Sequence, residues 1–205
     1  WQVTIMGGSD FHIDWKPNSM QLLTSGDGQQ AQIWEVESGD LLGEVAGGGY
    51  CTWSPDGNRI VTTSPDNSAR VWDAQTGNLI VIMNGHVGKI WHADWNLDGT
   101  AISTASIDGT ARVWDASSGT TLALIGGYID AVGNAIWRPY GSRLVVTSWG
   151  GYARVFEVPL VDMLENACQF VVRNMTDDEW SQQMGGTPYR DTCPGKPKLE
   201  WKGFE

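Results

Sequence analysis

His86, Ser106 and Asp108 are the residue types that make a nucleophile: a hydroxyl, an imidazole to take its proton and a carboxylate to orient the imidazole. His12 and His92 are the other histidines, and Cys51, Cys168 and Cys193 are the three cysteines. Those cysteines are too few for a disulfide scaffold and have no metal-ligand spacing with the histidines, so they read as reduced thiols. The glycine runs at Gly47 to Gly49, Gly7, Gly126 and Gly150 lack the lysine and following helix that cradle a phosphate. The Asp-Gly turns lack the ligand density of a calcium loop. Neither a metal nor a cofactor is therefore expected. With 24 acidic and 13 basic residues the net charge is −11, and no basic stripe exists to neutralise phosphates, which argues against a nucleic-acid partner. No run of about 18 apolar residues occurs, so direct membrane insertion is not expected.

Whether the three catalytic types can work together depends on the elements that carry them. The stretch ARVWDASSG, Ala111 to Gly119, has relatives in AQIWEVESG (Ala31 to Gly39), ARVWDAQTG (Ala69 to Gly77) and ARVFEVP (Ala153 to Pro159). Aligned on Trp34, Trp72, Trp114 and Phe156, the copies stand 38, 42 and 42 residues apart. Within one period, apolar and polar residues alternate between turn residues. In the third copy the alternation predicts strands over Lys89 to Trp95, Thr100 to Ser106, Thr110 to Ala116 and Thr120 to Gly126, separated by NLDG, IDG and SSG turns. A period of about 40 to 45 residues with a Trp-Asp dipeptide and four short strands is the signature of propeller blades.

On these motifs the chain resembles the WD-repeat β-propeller family over about Trp1 to Val158. The expected fold is all-β, with four repeats at about 1–45, 46–85, 86–127 and 128–158 and a short α-helical C-terminal tail over 159–205. The resemblance implies a buried tetrad in each blade: the Trp, a Ser or Thr, a turn Asp and a His from a Gly-His pair. Only the third repeat is complete, with His86, Ser106, Asp108 and Trp114. The second keeps Ser64, Asp66 and Trp72 but has AGGGY in place of Gly-His. The first keeps Ser25, Asp27 and Trp34, and the fourth has Phe156 and Gly150. So placed, His86, Ser106 and Asp108 are structural pins, and no catalytic residue is assigned. His12 and His92 take equivalent places in their inner strands, which suits repeat packing better than metal binding. In such repeats the residues flanking each inner strand's start, and the one before the turn Asp, face the top. Those positions hold Phe11, Lys89, Trp91, Ile107 and Trp149, the expected partner-binding residues; aromatic side chains are favoured interface anchors.

After Phe156 the sequence turns at Pro159 into a helical pattern, whereas WQVTIM, Trp1 to Met6, resembles a lone outer strand like LIVIM and TLALI. Either Trp1 to Met6 closes a four-bladed ring, or it ends a blade whose other strands lie upstream. A seven-bladed ring needs on the order of 290 residues, so a larger ring, completed by another chain or an upstream segment, is the expectation. The start at Trp1 reads as that of a cut polypeptide. In the tail, Leu160, Met163, Leu164, Ala167 and Val171 recur at helical spacing. Thr176 to Glu179 forms a capping box for a second short helix. RNMTDDEW and PYRDTC are similar to a trailer found after WD repeats in large bacterial signalling proteins. The reading is a non-catalytic protein-interaction or sensing scaffold in the cytoplasm, the C-terminal propeller portion of a larger bacterial multidomain signalling or assembly protein. The alternative is a small-ligand-binding or enzymatic propeller with a site in the central channel. Against it, the inner strands FHIDW, YCTWS, WHADW and GNAIW offer two histidines, two aspartates and no arginine.

Overall fold

The computed structural model describes residues 12–26, 30–138 and 143–158. The chain divides into two compact units, Trp1–Val158 and Pro159–Glu205. The described residues lie in the first unit. The outer strand expected at Trp1 to Met6, the residues Phe11 and Asp27, and the helices expected in the tail all fall outside them.

Alternation of side chains and the turn residues between them produce four antiparallel sheets in chain order. The first holds β1 (His12–Trp15), β2 (Gln21–Ser25), β3 (Ala31–Glu35) and β4 (Leu41–Val45). The second holds β5 (Cys51–Trp53), β6 (Arg59–Thr63), β7 (Ala69–Asp73) and β8 (Leu79–Met83). The third holds β9 (Ile90–Trp95), β10 (Ala101–Ser106), β11 (Ala111–Asp115) and β12 (Thr121–Ile125). The fourth holds β13 (Val132–Trp137), β14 (Arg143–Ser148) and β15 (Ala153–Glu157), three strands among the described residues. Each sheet is a propeller blade in which every strand pairs with the next.

The Trp-Asp dipeptide divides its work between core and turn. Trp114 points inward and is 1% exposed. Asp115 turns outward, and its Oδ1 accepts the backbone N–H groups of Ser117 (3.0 Å) and Ser118 (2.8 Å). That aspartate turn lets the chain reverse into β12. Asp73 does the same for Gln75 and Thr76 between β7 and β8. A register shift falls just before the tryptophan in the first three sheets, between Ile33 and Trp34, Val71 and Trp72, and Val113 and Trp114.

The sheets pack on one another in chain order, β5 on β1 and β2, β9 on β5 and β6, and β13 on β9 and β10. At the first seam Leu23, Ala31, Ile33 and Val45 meet Cys51, Trp53, Ile60 and Trp72. At the second, Val61, Ala69, Val71 and Met83 meet Ile90, Trp95, Ile102 and Trp114. At these two seams a front of mostly small and branched residues therefore meets a back carrying two tryptophans. Burying one such side chain stabilises the fold by about 1.5 to 3 kcal/mol, so the seams are the main source of cohesion.

Candidate functional site

In the third blade four side chains join in one directed chain. Trp114 Nε1–H donates to Thr104 Oγ1 (2.8 Å), and the Thr104 hydroxyl donates to His86 Nε2 (2.8 Å). His86 Nδ1–H donates to Asp108 Oδ2 (2.8 Å). Asp108 is held in turn by Val87 N–H (3.0 Å) and by the N–H and hydroxyl of Thr110 (3.0 and 2.6 Å). Every donor in the chain has an acceptor, which is what burial of four polar groups requires. Burial holds the His86 imidazole below its ordinary pKa, more strongly than the adjacent Asp108 raises it. Burial pushes the Asp108 carboxyl up, but the bonds from Thr110, His86 and Val87 overcome this and hold it below the usual range. The imidazole is thus neutral, and the donor directions above follow.

One residue of the expected tetrad is corrected. The hydroxyl between histidine and tryptophan belongs to Thr104; Ser106 instead donates to the Gly88 carbonyl (2.9 Å) and accepts Asp108 N–H (3.1 Å). Side chains alternate along β10, and it is Thr104 that pairs across to β11 two residues from the tryptophan's partner, within reach of the indole. The same bond recurs from Trp34 to Thr24 and from Trp72 to Thr62, each at 2.9 Å. A threonine ten residues before each tryptophan was the available sequence signal. The fourth blade replaces the pair together: Phe156 has no N–H to offer, and the Thr104 position holds buried Val146.

The second blade shows how the link survives without a histidine. Thr62 donates directly to the Ala46 carbonyl (3.0 Å). Gly47 makes that approach possible: its φ is +134°, and a Cβ there would lie 2.4 Å from Thr62 Oγ1. Arg70 fills the remaining space by pairing with Asp66 and bonding Ser64. Ser64, Ser25 and Ser106 are therefore not the tryptophan's partners; Ser25 donates to the Gly49 carbonyl.

Asp108, His86 and Thr104 do stand in the order of a nucleophile and its base. Yet Thr104 and Ser106 are both 0% exposed, and the Thr104 oxygen already accepts the Trp114 N–H. A substrate carbonyl cannot reach either hydroxyl.

At the end of the blades where β10 turns into β11, the third and fourth blades share a surface. The rings of Trp91 and Trp149 lie 5.6 Å apart at 52°. Lys89 Nζ sits 4.4 Å over the Trp91 ring, a cation–π arrangement. Ile107, 46% exposed, and Trp149, 62% exposed, occupy the same turn position in successive blades, each anchored through its N–H to the chain before the inner strand. Gly133 lets the Trp149 indole lie across β13, since a Cβ there would be 2.9 Å from Nε1. Trp91 is half-buried and its Nε1 has no partner. Of the expected partner residues, Trp91 touches both Lys89 and Trp149.

The inner strands were the expected place for a channel site. His12, Tyr50 and His92 stack through successive blades, with ring centres 3.6 and 4.6 Å apart. Asp14 accepts Thr52 Oγ1–H and Trp53 N–H at 2.7 Å across the first seam, and Asp94 accepts Trp137 N–H at 3.2 Å across the third. These groups join blades. Burial lowers His92 to about 4 and raises Asp94 to about 6. Among the described residues no group of three or more His, Cys, Asp or Glu side chains is placed to hold a metal ion. A groove of about 640 Å³ between the first two blades is bordered by Lys16, Leu42, Gly43, Glu44 and Asp73. Its Asp73 carboxylate is occupied by the turn described above.

The family described as WD domain, G-beta repeat matches residues 49–73 and 77–115. A search of curated proteins found no match. Among the described residues no helix is long and apolar enough to cross a membrane.

Proposed function

The chain belongs to the WD-repeat family, and on that premise we propose that it is a non-catalytic protein-interaction scaffold whose partner docks on the surface formed by Lys89, Trp91, Ile107 and Trp149. WD repeats generally mediate protein–protein contacts. The observation that carries the site is the exposure of Trp149, 62%, in a fold that buries Trp53, Trp95, Trp114 and Trp137 to 5% or less. An indole left in water against a second indole offers a large anchor at little conformational cost. The sealed Thr104 and Ser106 hydroxyls support a role without catalysis. The likeness of RNMTDDEW and PYRDTC to trailers in bacterial signalling proteins supports a place in a larger multidomain protein of that kind, working in the cytoplasm.

A photo-crosslinking residue installed in turn at Ile107, at Trp149 and at Ser118 tests the site. Ser118 lies in the turn at the opposite end of the same blade as Ile107. Crosslinks to partner from 107 and 149, with none from 118, are expected; crosslinks from 118 alone would place the partner elsewhere.

A further inference from the structure

The linkers into the second, third and fourth blades leave the preceding outer strands through Ala46-Gly47, Asn84-Gly85 and Gly126-Gly127. The glycine is required in all three: Gly47, Gly85 and Gly127 have φ of +134°, +155° and +85°, where a side chain is rarely tolerated. At Gly85 a Cβ would also lie 2.7 Å from Arg112 Nη1 and 3.2 Å from Trp114 Cη2. The residue before the glycine varies, and of these three linkers only the third puts an asparagine there. Asn84 and Gly85 are exposed and lie outside the strands. Among the described residues neither the Asn84 side chain nor the Gly85 N–H has a hydrogen-bond partner. Asn58, by contrast, donates its side-chain amide to Asp56 and is followed by Arg59. Asn96 is buried, donating to Thr100 and accepting Ala101 N–H.

We infer that Asn84-Gly85 is a site of spontaneous deamidation, and that its isoaspartyl product undoes the histidine link of the third blade. Asparagine is a thermolabile residue, and a following glycine leaves its own nitrogen open to approach the side-chain amide. The Gly85 nitrogen, having lost its proton to solvent, attacks Asn84 Cγ and closes a succinimide ring. The Cγ–Nδ2 bond breaks, and the leaving nitrogen takes up a proton and departs as ammonia. Water then opens the ring at either carbonyl. Opening at Cγ gives aspartate; opening at the backbone carbonyl gives isoaspartate, whose main chain is one methylene longer. The linker has no slack for that methylene. Before it, Met83 is wholly buried and paired with Ala69. Within it, Gly85 is fitted against Arg112 and Trp114. After it, His86 is 7% exposed and bonded to Thr104 and Asp108. The longer chain therefore displaces His86 and leaves buried groups of Thr104 and Asp108 short of a partner. The second blade is immune, because Ala46 has no side-chain amide and Thr62 bonds the Ala46 carbonyl without a histidine. This inference does not depend on the partner surface at Trp149.

Ageing the full chain in warm, mildly alkaline buffer tests both steps. Peptide mass spectrometry should show the Asn84 amide converting to acid, with isoaspartate the larger product, while Asn58 and Asn96 keep their amides. Over the same period the melting temperature should fall, and the Trp114 indole N–H resonance should shift in proportion to the isoaspartate formed. Asn84→Ala, which copies the second blade at this place, should hold both readings constant. Fresh Asn84→Asp, which has the charge without the extra methylene, should melt with the fresh wild type. An Asn84 amide that survives while a short Asn-Gly reference peptide converts would overturn the site. Isoaspartate that accumulates with the melting temperature and resonance unmoved would overturn the link to His86. Fresh Asn84→Asp melting as low as the aged protein would overturn it too, by assigning the effect to the charge.

Discussion

Thr104 serves two neighbours with one hydroxyl, accepting from Trp114 and donating to His86. Thr104→Val keeps the shape and removes both bonds, leaving a buried indole N–H and an imidazole nitrogen unpaired. Chemical denaturation should show a loss of about 1 to 3 kcal/mol for each group so orphaned. Asp108→Ala should fall in the same range, because it strips the acceptor from His86 and Val87. If Thr104→Val were neutral, the hydroxyl link would not be contributing to stability. The inner strands set the response to acid. His92 has a folded pKa near 4 against an ordinary 6.5, so its contribution is complete above about 6.5 and is lost as pH falls towards 4. His12 and His86 are shifted in the same direction, in each case chiefly by burial. Asp94 is raised from 3.8 to about 6, so protonating it relieves a buried charge and opposes that loss over the same window. Asp94→Asn should therefore raise the melting temperature at pH 7.5 and make its fall between pH 6.5 and 4 steeper than in the wild type. An unchanged pH profile would contradict the assignment of Asp94 as a buried carboxylate.

At the scale of the blade, the parts that repeat in the sequence were legible and the parts that depend on neighbours were not. The strands and turns of the third copy could be read from alternation and from NLDG, IDG and SSG, because those are local choices of backbone. The tetrad hydroxyl was misread by two residues. Both Thr104 and Ser106 lie in β10 with the same alternation, and only the cross-strand pairing with β11 decides which reaches the indole. Asp14 and Asp94 were seen only as channel candidates, since their acceptor role requires the next blade. The second blade's glycine run is clear once Thr62 is in place. Gly47→Ala would put a methyl into the Thr62 side chain at a backbone angle that side chains rarely adopt. Its cost should be about 1 to 3 kcal/mol in denaturant, with Trp72 losing order in the indole N–H resonance. A resonance unmoved by Gly47→Ala would show that the Ala46 carbonyl is not what positions Thr62.

Among the described residues, three seams bury what the repeats have in common, and the repeats differ in what they turn outward. Trp149, Ile107 and Pro65 occupy one turn position in three blades, and the pairing of Trp149 with Trp91 across a seam is what makes a single surface of two repeats. Sequence position brought these residues into consideration, but their contact depends on Gly133, whose missing side chain lets the indole lie flat. The most direct measurement of the scaffold reading is the equilibrium affinity of the crosslinked partner, once purified, for wild type, for Trp149→Ala and for Trp91→Ala with Trp149→Ala, alongside the melting temperature of each. Trp149→Ala should weaken binding by more than about 2 kcal/mol with the melting temperature nearly unchanged, and the double variant should bind no better. Preserved affinity together with a large fall in melting temperature would contradict the account, because it would assign both indoles to the core.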